Sequence, residues 1–272
     1  MSKSRALGKI YSLLIFLFLY TPIFILLLFS FNSSHSTSVF AGFSLRWYKE
    51  LLYDSATLEA LKNTIILAVS SSLFATVLGT GAAVGIYSYK LKWFKSSVLS
   101  VTNIPMMNPE IVTGISMMLL FVFVGRLIDK TGILGFSTLL IAHITFNLPY
   151  VILSVLPKLR QTDIHLSEAA QDLGCTPLQS FFKVVLPSIM PGIVTGLIMS
   201  FTLSLDDFII SYFVSGPTSQ TLPIRIFSMT KKRVTPDMYA LSSLIFIAVL
   251  LLLILVNISQ VRGEKKKSIK QI

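Results

Sequence analysis

The sequence predicts an all-α membrane protein with six transmembrane helices and both termini in the cytoplasm. Three observations predict it. Of 272 residues, 53% are hydrophobic and only 13% charged, which is too apolar for a soluble chain of this size. The apolar residues gather into six runs, each long enough to cross a hydrocarbon core of about 30 Å. Lys and Arg divide unevenly between the two sides that six spans create, fourteen against nine. The richer side carries both termini and is cytoplasmic by the positive-inside rule.

The first run, about residues 10–31, follows Lys3, Arg5 and Lys9. No small-x-small cleavage site follows it, so it is expected to stay as a signal anchor, kinked at Pro22. The second, about 62–86, holds Gly81 and Gly85 at i, i+4, a spacing that permits close helix packing. Lys90, Lys92 and Lys95 then form a basic inner loop. The third, about 97–124, is expected to be interrupted. Pro105 weakens one turn, and Asn108-Pro109-Glu110 reads as the cap and first residues of a helix restarting at membrane depth.

The fourth run, about 133–157, carries His143, Asn147 and Pro149, with His143 more often a hydrogen-bonded packing residue than a ligand in such a setting. The fifth, about 189–214, repeats the small-residue spacing with Gly192 and Gly196 and contains Asp206-Asp207. The sixth, about 238–260, leads into a basic tail. The whole of 1–272 reads as a single transmembrane domain.

Between the fourth and fifth runs, about 158–188, lies a stretch that looks soluble. Leu166, Ala169, Ala170 and Leu173 follow helical spacing, with Thr162 or Asp163 as cap. Gly174 suits a left-handed helix end. Thr176-Pro177 opens a second helix, striped with Leu178, Phe181, Phe182 and Val185, which Pro187 is expected to stop. By spacing alone this is either an amphipathic surface loop or a docking hairpin. A DNA-reading helix-turn-helix is disfavoured because Asp163, Glu168 and Asp172 make it acidic. The net charge of +11 lies in loops and tails, which argues against nucleic acid.

The full pattern Glu-Ala-Ala-x3-Gly-x9-Val-x-Leu-Pro, Glu168 to Pro187, resembles the EAA loop of bacterial ABC-importer permeases, with Val184 where isoleucine is usual. Nearly the whole chain is similar to the permeases of spermidine/putrescine importers, of the PotC type. The stretches that carry this are Ser30-Phe-Asn-Ser-Ser34, Trp47-Tyr48, Met107 to Ser116, His143-Ile-Thr-Phe, Ser200 to Asp207 and Phe213-Val-Ser-Gly-Pro217. Glu110 departs from that pattern, standing where an aspartate is expected.

The resemblance implies a type I ABC-importer permease fold in a bacterial plasma membrane. It implies a second related permease, an ATPase homodimer and an external substrate-binding protein as partners. It also implies that Glu168, Ala169, Ala170, Gly174, Leu186 and Pro187 couple this chain to the ATPase. No Walker-type loop occurs, so the chain itself is expected to bind no nucleotide, metal or cofactor; ATP and magnesium belong to the partner ATPase.

Three acidic residues fall at membrane depth: Glu110, Asp206 and Asp207. Glu110 is about 20 Å into its span at 1.5 Å per residue. A charge near the bilayer centre costs about 2.5–3.5 kcal/mol, so such groups face a cavity or a partner. No Lys or Arg lies in the interior of a span, and an all-acidic set suits a cationic solute. The alternative is pairing with a partner subunit or with a loop residue such as Arg225. Asp206 and Asp207 stand about 100° apart on a helix, so at most one is expected to point straight into a narrow path. An intramembrane protease is disfavoured: there is no His-Glu-x-x-His, and the paired aspartates are neighbours on one span. A channel or secondary transporter would explain a broken helix and buried acids equally well, but not the hairpin. The outer cluster Lys231, Lys232 and Arg233 opposes the positive-inside rule and is expected either to meet an external partner or to be a solvated loop.

Overall fold

The computed structural model is all-helical, as the composition requires. It describes residues 2–34, 39–163, 165–232 and 236–269, with the side chains of 2–7, 232, 252–253 and 255–269 excepted. The helices are α1 (Ser2–Phe29), α2 (Arg46–Tyr53), α3 (Ser55–Ser88), α4 (Lys92–Met107), α5 (Glu110–Leu127), α6 (Phe136–Gln161), α7 (His165–Asp172), α8 (Pro177–Ser180), α9 (Leu186–Asp206), α10 (Ile209–Val214), α11 (Leu222–Lys232) and α12 (Pro236–Ile269). Among the described residues, five helical stretches are long and apolar enough to cross a membrane: Gly8–Phe29, Ser55–Ser88, Glu110–Leu127, Phe136–Gln161 and Pro177–Asp206. The described apolar part of α12, Pro236–Leu251, is shorter.

The chain forms two compact units, Met1–Leu58 with Ile226–Ile272, and Glu59–Arg225. In the first, Asn32 organises the segment after α1. Its Nδ2 donates to Val39 O at 2.7 Å, and its Oδ1 accepts from Ala41 N at 2.9 Å. Trp47 Nε1 donates to Asn32 O at 2.6 Å, which seats α2 on the turn. Tyr48 OH lies 2.7 Å from both Ser30 Oγ and Ser243 Oγ, tying α2 to the end of α1 and to α12. Buried polar groups need such partners.

The second unit is built on α6 and α9, whose contact is made by small residues. A Cβ on Gly192 would stand 2.8 Å from Ser154 O, and one on Gly196 3.2 Å from Val151 Cα. Small residues let helix backbones approach where lipid gives no hydrophobic drive between helices. Around this seam pack Ala75, Ala83, Val151, Val155 and Ile189. The close approach that the spacing of Gly81 and Gly85 permits is not made among the described residues, where a Cβ on either would meet nothing within 4 Å. Gly79 makes it instead, where a Cβ would meet Val151 at 2.7 Å. The reason is helix phase, since residue 79 is the one on the face turned to α6.

Two spans are broken and one junction is continuous. The third apolar run divides at Asn108-Pro109, α4 ending at Met107 and α5 starting at Glu110. Pro109, not Asn108, stands at the cap position, and its carbonyl accepts from Val112 N and Thr113 N. The fifth run, read as unbroken from 189 to 214, also divides, at Asp207-Phe208. Pro187 does not stop the second hairpin helix. The chain passes from α8 through a π-helical turn, Phe181–Val185, straight into α9. Pro187 falls in the first turn of α9, where a missing N–H does little harm.

Candidate functional site

Two sets of residues bear on function, the hairpin and the membrane-depth acids. The hairpin starts where Asp163 Oδ1 accepts from His165 N at 3.0 Å, an N-terminal cap for α7. At the far end Gly174 has φ +88°. Cys175 N donates to Ala170 O at 3.0 Å and Gly174 N to Gln171 O at 2.9 Å. This is a Schellman closure, which uses the left-handed freedom of glycine. Thr176 and Gln179 then form a reciprocal capping box for α8, with bonds of 3.3 and 3.1 Å. Ser180 Oγ donates to Ser167 O at 3.0 Å and lies 2.9 Å from Ser167 Oγ, joining the two helices.

This folding sorts the six residues expected to couple to an ATPase. Glu168 and Ala169 are exposed, Ala170 is buried against the hairpin, and Gly174 makes the turn. Leu186 and Pro187 open α9. The apolar stripe is therefore divided: Ala170 faces in, while Leu166, Leu173, Leu178 and Phe182 are exposed together with Ala169. His165 Nδ1 lies 2.8 Å from Glu168 Oε2. The Glu168 hydrogen bond, with the nearby Asp163 and Glu168 charges, raises the His165 pKa above its ordinary 6.5.

Of the acids, Glu110 is the first residue of α5 and is exposed. Asp206 is the last residue of α9 and is exposed as well. Of this neighbouring pair, at most one of which is expected to point straight into a path, Asp207 is the one turned inward. Its side chain is only 5% exposed and His143 beside it 1%. Asp207 Oδ2 accepts from Ser211 N and Ser211 Oγ, each at 2.8 Å, and Oδ1 from Ile210 N at 3.3 Å. His143 Nε2 lies 3.4 Å from Asp207 Oδ2 and 3.1 Å from Ser211 Oγ. The carboxylate is thus enclosed by donors from α6 and α10, the reason it turns inward. A second buried chain runs beside it: Asn147 Nδ2 donates to Ser204 Oγ at 2.7 Å, which is 2.8 Å from Ser71 Oγ.

Ser211, Ser204 and Ser71 were not picked out from the sequence. A signal was present: His143 with Asn147 and Ser200 with Ser204 are i, i+4 pairs, so each span turns a polar stripe to one side. The outer cluster falls on and after α11. Lys231 Nζ sits 4.6 Å above the Phe227 ring, and Arg233 lies outside the described residues.

What this arrangement can do chemically is hold a cation at the end of α9. The last carbonyls of a helix lack intrahelical partners and carry the negative end of its dipole. Asp206 adds a full charge at that end.

The chain is helical, with broken spans and a helix–glycine–helix hairpin between two of them. A crystal structure of a bacterial ABC transporter that imports the acidic polysaccharide alginate shares the fold, with a TM-score of 0.73 over 96% of each chain at 18% identity. A structure of the MetNI methionine ABC transporter has a TM-score of 0.59, covering 79% of this chain and 96% of that one at 16% identity. Residues 75–268 match the model of the binding-protein-dependent transport system inner membrane component, and the chain belongs to that family. It is 40% identical to the putrescine transport system permease protein PotI of Escherichia coli K12 over 255 residues, 94% of this chain and 91% of that one. It is 39% identical over 240 residues to the spermidine/putrescine transport system permease protein PotC of the same organism, 88% of each chain. The Haemophilus influenzae PotC is 36% identical over 249 residues, 92% of this chain and 94% of that one.

Proposed function

We propose that this chain is one membrane-spanning subunit of an ATP-driven importer that takes up polyamines, putrescine or spermidine, handed over by an external binding protein. The observation that carries the substrate class is the exposed Asp206 carboxylate at the C-terminal end of α9, with exposed Glu110 as a second acid. An ammonium group finds there a carboxylate and the negative end of a helix dipole. The named transport roles of PotI and PotC, at about 40% identity over most of the chain, support the same class.

The chain crosses the bacterial plasma membrane six times, the sixth crossing being α12, with both termini in the cytoplasm. It pairs with a second related permease, and an ATPase homodimer carrying ATP and magnesium docks below. Glu168 and Ala169, with the exposed Leu166, Leu173, Leu178 and Phe182, form the face that enters the ATPase. The continuous path from α8 into α9 carries the movement of that face into the membrane. Substrate then passes between the two permeases by alternating access.

Uptake of labelled putrescine and spermidine by polyamine-starved cells tests this, with the gene deleted and then restored. Uptake lost on deletion and recovered on restoration is expected. Unchanged uptake in cells lacking any other polyamine importer refutes the substrate.

A further inference from the structure

The two neighbouring acids have opposite fates. In an uninterrupted α-helix, Ile210 N–H would bond to Asp206 O and Ser211 N–H to Asp207 O. Both amides are instead taken by the Asp207 carboxylate. Asp206 O thereby loses its helical donor, and the backbone at Asp207 turns extended, with φ −61° and ψ 121°. That substitution is what ends α9 at Asp206. The Ser211 hydroxyl adds a donor from α10, and His143 Nε2 supplies a bond from α6. An imidazole carrying a proton on Nε2 satisfies this chain of donors: Nε2–H to Ser211 Oγ and Asp207 Oδ2, and Ser211 Oγ–H to Asp207 Oδ2. His143 is therefore the anchor that fixes the capping carboxylate to a different span.

We propose that His143 and Ser211 are positioning residues for uptake. By holding the Asp207 carboxylate as the cap of α10, they keep the break between α9 and α10 in place and so aim Asp206 and the end of α9 at the solute. The proposal rests on the assignment of Asp206 to the substrate path. Neither residue touches the solute: both side chains are buried. Their effect passes through the backbone that Asp207 shapes. With the anchor gone, the carboxylate competes less well for the two amides, and the apolar sequence around it favours one continuous helix.

The test is a double-mutant cycle on the complete transporter in proteoliposomes, with labelled putrescine as the probe. His143→Leu is expected to raise the KM about tenfold, the effect of losing a hydrogen bond to a charged group, while Vmax per assembled complex moves less. His143→Gln, whose amide can still donate, restores most of it. In an Asp206→Asn background, where the KM is already raised, His143→Leu adds nothing. Unchanged KM in His143→Leu with less assembled transporter overturns the proposal, as does an effect that multiplies with that of Asp206→Asn. A wild-type KM in Asp206→Asn overturns the path assignment and this proposal together. A raised KM there with none in His143→Leu overturns this proposal alone. If His143→Leu fails to assemble, Ser211→Ala runs the same cycle with the same outcomes.

Discussion

Gly192 of α9 lies so close to Ser154 of α6 that a Cβ at residue 192 would stand 2.8 Å from the Ser154 carbonyl oxygen. The obstacle is backbone, so it cannot swing aside. Gly192→Ala is expected to push the two helices apart at a cost of about 1–3 kcal/mol, the usual range for overpacking. Gly81→Ala meets nothing within 4 Å and is expected to leave the isolated chain as stable or slightly more so, alanine being the better helix former by up to about 1 kcal/mol. Thermal unfolding in detergent compares them; equal loss at both positions would contradict the packing described.

Ala169 and Ala170 are adjacent and chemically identical, yet only Ala170 is buried. Ala169→Leu is expected to leave the hairpin folded but to uncouple ATP hydrolysis from uptake by disturbing a docking face. Ala170→Leu is expected to destabilise the hairpin itself by about 1–3 kcal/mol. Protease sensitivity of the hairpin, measured beside ATPase-coupled uptake, separates the two effects. Loss of uptake in Ala169→Leu with a newly labile hairpin would remove the distinction.

The pair His165 and Glu168 makes the N-terminal turn of α7 pH-dependent. Its hydrogen bond to Glu168 raises the His165 pKa above 6.5. A raised folded-state value means that the pair's contribution is complete below the unfolded pKa, about 6.5. It fades as pH rises through the folded value. In Glu168→Gln the His165 titration by NMR is expected to move down toward the ordinary imidazole range. An unmoved titration would show that the contact does not persist in solution.

Asn32 holds the segment after α1 through both ends of its side-chain amide. Asn32→Ala removes the acceptor of Ala41 N–H and the donor to Val39 O. Val39 and Ala41 are exposed, so water can take their freed groups, and each lost bond is expected to cost about 0.5–1.5 kcal/mol. Trp47→Phe loses the bond to Asn32 O, about 1 kcal/mol. Asn32→Ala should therefore lower the melting temperature more than Trp47→Phe; the reverse order would mean that the turn is held by Trp47 packing.

The hairpin was the most legible part of the chain, because its signals are local. Gly174 at a left-handed position, Thr176-Pro177 at a helix start and Asp163 ahead of His165 each satisfy backbone groups within a few residues. The break before Glu110 was legible for the same reason, through Pro105 and Asn108-Pro109. The break after Asp206 was not. Asp207-Phe-Ile-Ile-Ser211 carries a cap signal, but a carboxylate in an apolar run fits a path-lining group just as well.

The sequence by itself determined the all-helical fold, the long apolar stretches and the glycine turn and caps of the hairpin, since these follow from hydropathy, helical period and short-range capping. Tertiary structure alone decided which of two neighbouring aspartates is buried, which glycine meets another helix and which alanine of the hairpin faces outward. Those outcomes depend on rotations of one helix against another, where a shift of one residue turns a side chain by about 100°. No local pattern specifies that phase; the bond between His143 and Ser211, 68 residues apart, does.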